Sequence, residues 1–157
     1  MVVSCQVIEH LKDVKTYLED ISKNYLKPGG IFICSTPNKL ITSPNLRKPI
    51  MVFHIKEYTP LDLQEVLEKY FNKVTIFGQC ANSKNIKNDI NKLSYRQKIL
   101  RVISQIEIVR MISRHLPMFI KYAFMGPLPD DRDATYVLCE DKQSIDRCEI
   151  LIAKCET

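Results

Sequence analysis

The run Leu26-Lys27-Pro28-Gly29-Gly30-Ile31-Phe32-Ile33-Cys34 decides the fold. Proline lacks the donor that continues a helical ladder, and glycine readily takes the positive φ of a helix terminator, so a helix arriving at Leu26 stops there. The four apolar residues after Gly30 read as a buried strand. Upstream, Val14, Tyr17, Leu18, Ile21 and Tyr25 recur at spacings of three and four, which predicts an amphipathic helix from Asp13. Val2 to Cys5 is a short apolar run and predicts a first strand. Strand, helix and strand in this order make a βαβ unit, and the unit implies an α/β sheet with parallel crossovers.

Downstream of Cys34 a Pro-, Ser- and Asn-rich stretch from Thr36 to about Phe53 reads as a loop. A second helix starts at Thr59-Pro60. Thr59 suits the N-cap, Pro60 the first helical position, and Asp62 faces the exposed amides of the first turn. Leu63, Val66, Leu67, Tyr70 and Phe71 give that helix one apolar face. Val74 to Phe77 predicts a strand ending at Gly78-Gln79. Residues 81–91 read as a polar loop, and Ile99 to Ile112 as a long amphipathic helix stopped near Pro117. Gly126 to Asp131 is a loop, and Glu149 to Cys155 a final strand.

With 157 residues, 45% of them hydrophobic, the chain can bury one real core. Its six cysteines form no Cys-x-x-Cys pair and several sit in strand-like runs, so they are expected as reduced, mostly buried thiols of a cytoplasmic protein. The N-terminus carries no secretory pattern, and no membrane span is expected, since the apolar stretch 116–125 is short and contains Lys121. The formal charge of +5 is uneven: between Lys92 and Lys121 seven Lys/Arg face one acid, Glu107. That basic helix is either a solvated face on a lid or a surface for substrate or membrane head groups. Nucleic acid is not an expected partner, because aromatic residues are sparse there and recognition motifs are missing.

Two motifs resemble class I S-adenosylmethionine-dependent methyltransferases. The first is Ser4-Cys5-Gln6-Val7-Ile8-Glu9-His10-Leu11, followed by Leu26 to Gly30 and by Ser35-Thr36-Pro37-Asn38; the second is Phe53 to Pro60 with Phe77-Gly78-Gln79 downstream. They cover residues 1 to about 79. The resemblance implies a partial Rossmann-like sheet made of strands 4, 5, 6 and 7 of the family order 3-2-1-4-5-7-6. Residues 1–157 would be one truncated methyltransferase-like domain, with 80–130 as a helical insertion or lid. The family's Gly-rich loop and the acid that holds the cofactor ribose have no counterpart here. S-adenosylmethionine is therefore an expected cofactor only when the missing half is supplied.

Ligands of open α/β sheets lie beyond the carboxyl ends of strands, where Cys5 and Gln6 are the cofactor-side candidates. His10 just after them is the candidate general base for an oxygen or nitrogen acceptor, or else it starts the following helix and bonds the backbone or Glu9. His54 is the candidate substrate residue. Some relatives of the fold bind a divalent metal through a Glu-x-x-Glu-His cluster; Gln6 stands at the first of those positions and is a poorer ligand, so no metal is assigned. The expected activity is methyl transfer to a small molecule or glycan precursor, this chain alone being inactive. The rival reading is a non-catalytic remnant or interaction domain that binds a partner through its exposed sheet edge, an edge that also invites self-association.

Overall fold

The computed structural model describes residues 1–81 and 136–157. Two compact units divide the chain. The first comprises Met1–Pro49, Phe53–Cys80 and Val137–Thr157; the second comprises Ile50–Val52 and Ala81–Tyr136. Most of the second, with the expected lid 80–130 and its basic helix, lies outside the described residues.

Strand β1 (Val2–Cys5) is followed by a 3-10 turn at Ile8–His10, and then by helix α1 (Val14–Asp20). Asp13 caps α1: its Oδ1 accepts from Thr16 N at 3.0 Å. A π-turn (Ile21–Tyr25) ends the helix, and Gly29, at φ 72°, makes the reversal that the Pro-Gly-Gly run demands. Strand β2 (Ile31–Pro37) then lies parallel to β1 in the register Val2 to Phe32 and Cys5 to Ser35. The βαβ reading of the opening run therefore holds.

The expected loop 36–53 is partly ordered. β2 runs to Pro37, and a short helix α2 (Lys39–Thr42) follows, capped by Asn38 through Leu40 N at 3.1 Å. Helix α3 (Pro60–Leu67) has the expected start with a full capping box between Thr59 and Asp62. It stops at Leu67, short of Phe71, whose ring instead stacks on Phe32 at 5.5 Å between centroids. Strand β3 (Lys73–Ala81) follows. Strand β4 (Tyr136–Cys139) and the short helix α4 (Lys142–Ile145) precede the final strand β5 (Ile150–Glu156).

The five strands form one sheet in the order β1-β2-β5-β3-β4. β1 and β2 pair in parallel. β5 runs antiparallel to β2 and to β3, so β1, β2 and β3 share one direction as the parallel crossovers require, and the final strand departs from that reading. Leu18, Leu63 and Leu67 from the helices pack on Phe32, Cys34, Leu151, Ala153 and Cys155 of the sheet, and all are buried.

The cysteine expectation also needs correction. Cys80, at the end of β3, is bonded to Cys148, just before β5. They are 68 residues apart, so only the sheet order reveals the pairing. Cys34 and Cys155 are buried thiols as expected, whereas Cys5 is exposed. Among the described residues no helix is long and apolar enough to cross a membrane.

Candidate functional site

The site is built at the carboxyl end of β1. Gln6 leaves the strand at φ 54°, an uncommon conformation for a residue with a Cβ, and its N–H donates to Ser35 O at 2.9 Å. That turn drives Ile8 into the core and takes Glu9 in with it; both are 1% exposed. A carboxylate at that depth needs partners. One oxygen of Glu9, Oε2, accepts from the Thr36 hydroxyl at 3.0 Å. The other, Oε1, has no hydrogen-bond partner, and His10 Nε2 lies 3.9 Å from it.

The segment that carries His54 is tied to the same turn. Ile55 N and Lys56 N donate to Glu9 O at 2.7 and 3.3 Å. His10 Nδ1 is 3.0 Å from Phe53 O, and the rings of His10 and His54 meet edge to face at 5.0 Å. A carbonyl oxygen only accepts, so Nδ1 of His10 carries the hydrogen, and in the neutral ring Nε2 holds a lone pair. The same reasoning applies to His54, whose Nδ1 is 2.7 Å from Glu57 Oε1. A donor atom from each of Glu9, His10 and His54 lies within 4.8 Å of the other two.

Glu57 is a buried carboxylate that the sequence reading gave no role. Burial on its own would raise its pKa, but hydrogen bonds from His54, Ser43 and Thr42 outweigh it and hold the group below the ordinary carboxylate range. Thr42 Oγ1 donates to Oε2 at 2.8 Å. Asn38, fully buried, fixes the frame behind it: its amide nitrogen donates to Cys148 O at 2.8 Å and to Ile145 O at 3.2 Å. The signal for Asn38 was its place at the end of the apolar strand β2, and for Glu57 its spacing of three from His54.

Of the four candidates, His10 and His54 are brought together. Gln6 shares the strand end but turns its amide to Ser35 Oγ at 3.3 Å, and Cys5 is exposed beside it. Among the described residues the positive-φ glycine is Gly29, in the turn after α1, so no glycine cradle stands at the site.

No family model matches the chain. Curated mycobacterial proteins are similar to part of it. A probable S-adenosylmethionine-dependent methyltransferase of Mycolicibacterium smegmatis is 41% identical over 68 residues, covering 43% of this chain and 26% of that protein. Probable S-adenosylmethionine-dependent methyltransferases of two Mycobacterium tuberculosis strains are 36% identical over 67 residues, covering 43% of this chain and 24% of theirs. The chain spans about a quarter of the length of the curated relatives it matches. The resemblance carried by the motifs is thus shared with homologues named for that activity.

Proposed function

We propose that the chain supplies the acceptor side of an S-adenosylmethionine-dependent methyltransferase that acts on a hydroxyl of a small molecule or glycan precursor. The observation that carries this reading is the convergence of Glu9, His10 and His54 at the end of β1, with both histidine Nε2 lone pairs available. The cofactor supplies an electrophilic methyl group on a sulfonium sulfur. Nε2 of His10 takes the proton of the acceptor hydroxyl as its oxygen attacks. The imidazolium so formed keeps its Nδ1–H on Phe53 O and faces the Glu9 carboxylate, which favours the charge. His54, aligned by Glu57, accepts a hydrogen bond from the acceptor and orients it. Cys5 and Gln6 line the cofactor's edge. The strand order β1-β2-β5-β3 supports reading these strands as 4, 5, 7 and 6 of the methyltransferase sheet.

A second reading is favoured by the orphaned Glu9 Oε1. Two imidazole nitrogens and one carboxylate oxygen suit a first-row divalent cation, and each histidine already donates its other N–H to an oxygen, as metal-ligating histidines do. Glu9, His10 and His54 would hold the ion, which would polarise the acceptor hydroxyl.

Fusing the chain to the portion of the M. smegmatis relative outside the match tests the proposal. Labelled methyl transfer to hydroxylated acceptors is expected from the fusion and from neither part alone. His10→Ala should lower turnover at least a hundredfold with donor affinity kept. A folded fusion that binds the donor but methylates no hydroxylated acceptor would refute the reading. Manganese titration by calorimetry separates the two mechanisms, since only the second requires stoichiometric binding that His54→Ala removes.

A further inference from the structure

Glu57 belongs to two places at once. Its carboxylate fixes His54, and it also lines a cavity of about 330 Å³ whose wall carries Lys39, Arg47 and Lys56. That volume is at the small end of ligand pockets and suits a compact molecule. Asp62 is the other acid in the wall. Both acids are committed: Glu57 to His54 and Thr42, and Asp62 to the Thr59 N–H at 3.2 Å in the α3 capping box. Hydrogen bonds from Thr59 and the charges of Lys56 and Lys39 hold Asp62 below its ordinary pKa despite burial. Among the described residues none of the three cations forms an ion pair. Lys56 Nζ sits instead over the Tyr58 ring, 4.8 Å from its centroid.

Three cations meet in this wall, which also contains Pro49 and Ile55. We infer that the cavity binds an acidic group of the acceptor, held by Arg47 with Lys39 and Lys56, so that the acceptor is a phosphorylated or carboxylated small molecule. A phosphate ester is the better match. Its oxygens engage the planar fork of Arg and two ammonium groups together, and most of it carries a second negative charge at neutral pH. Ile55 and Lys56 hang from Glu9 O, so an acceptor anchored here reaches toward the histidine pair. The link to methyl transfer rests on the function proposed above; anion binding does not.

The test is a 15N-1H titration of the whole chain with glycerol 3-phosphate, glucuronate and uncharged glycerol, without cofactor. The phosphate ester is expected to shift the amides of Lys39, Arg47, Lys56 and Asp62. Arg47→Gln and Lys39→Gln should each weaken binding about tenfold, while Lys15→Ala on α1 leaves it unchanged. Affinity should fall with added salt, and again below about pH 6, where the phosphate takes up a proton. Binding of glucuronate alone would support the pocket and assign the acidic group as a carboxylate. Equal shifts with glycerol, shifts spread over all surface lysines, or unchanged affinity in Arg47→Gln would overturn the inference. Anion binding by a fusion that transfers no methyl group would sink the methyltransferase reading and leave the pocket standing.

Discussion

His54 Nδ1 lies 2.7 Å from Glu57 Oε1, and that contact sets which ring nitrogen of His54 carries the hydrogen. Glu57 is 3% exposed and its partners are all side chains of neighbouring segments, so it joins the loop before α3 to α2. Removing the carboxylate leaves the Nδ1–H of His54 without its acceptor, while the Thr42 hydroxyl keeps Asn38 O at 3.0 Å. Glu57→Ala is expected to cost about 1–3 kcal/mol of stability. Glu57→Gln should recover part of this, because an amide oxygen still accepts. Denaturant melts of the three proteins check it, and a neutral Glu57→Ala would mean that this loop is held by other contacts.

The same carboxylate gives stability a pH dependence of known sign. Its pKa is depressed in the folded chain, so the stabilisation is present above the unfolded-state value, about 4.3, and is lost as pH falls through the lower folded value. On the alkaline side the buried thiols of Cys34 and Cys155, both raised by burial, begin the loss of stability from about pH 8.5, where the unfolded thiols ionise, and Tyr58 extends it. Burial pushes its hydroxyl up to about 12, so the unfolded chain ionises first and stability falls further as pH rises above about 10. Melting temperature against pH should show a plateau between these limbs. Glu57→Gln should shrink the acid limb and Tyr58→Phe the upper part of the alkaline one, each without changing the other.

The Cys80–Cys148 bond closes a loop with a sequence separation of 68, and the chain-entropy estimate for such a loop is about 4 kcal/mol. Cys80→Ser should lower stability by about 2–4 kcal/mol, and reductant should shift the parent's melt but not the variant's. Gly78 makes room for this bond, since a Cβ there would lie 2.6 Å from Cys148 Sγ and 3.0 Å from Ile145 Cα. Gly78→Ala should therefore destabilise by about 1–3 kcal/mol in the oxidised protein. An unchanged melt in Gly78→Ala would show that α4 shifts to absorb the methyl group.

What the sequence made legible was local. Pro28-Gly29-Gly30 and Thr59-Pro60 act through their own backbone geometry, so the βαβ start and the head of α3 could be read directly. The antiparallel β5 could not, because a strand-like run of seven residues looks the same whichever way it is inserted. His10 and His54 stood out as rare residue types in recognisable motifs. Glu57 and Asn38 did not: Glu57 owes its role to a local contact with His54 and one with Thr42 in α2, and Asn38 owes its role to Cys148, 110 positions away, which the fold brings into reach. The Cys80–Cys148 bond was hidden for the same reason.

Strand β1 ends the sheet, with β2 as its neighbour among the described strands. Its outer row of N–H and C=O groups lies beside Val3, which is 54% exposed, and Val2 to Cys5 carries no charge to discourage pairing. An edge of this kind recruits another strand, and the nearest supply is a second copy of the chain. Concentration-dependent association is expected in sedimentation, and Val3→Lys should suppress it by placing a charge that a paired strand would have to desolvate. The exposed thiol of Cys5 lies on the same edge, so Cys5→Ser is the necessary control: association that survives it is strand pairing, and association that vanishes is intermolecular oxidation. A parent chain that stays monomeric at high concentration would mean that a segment outside residues 1–81 and 136–157 already covers β1.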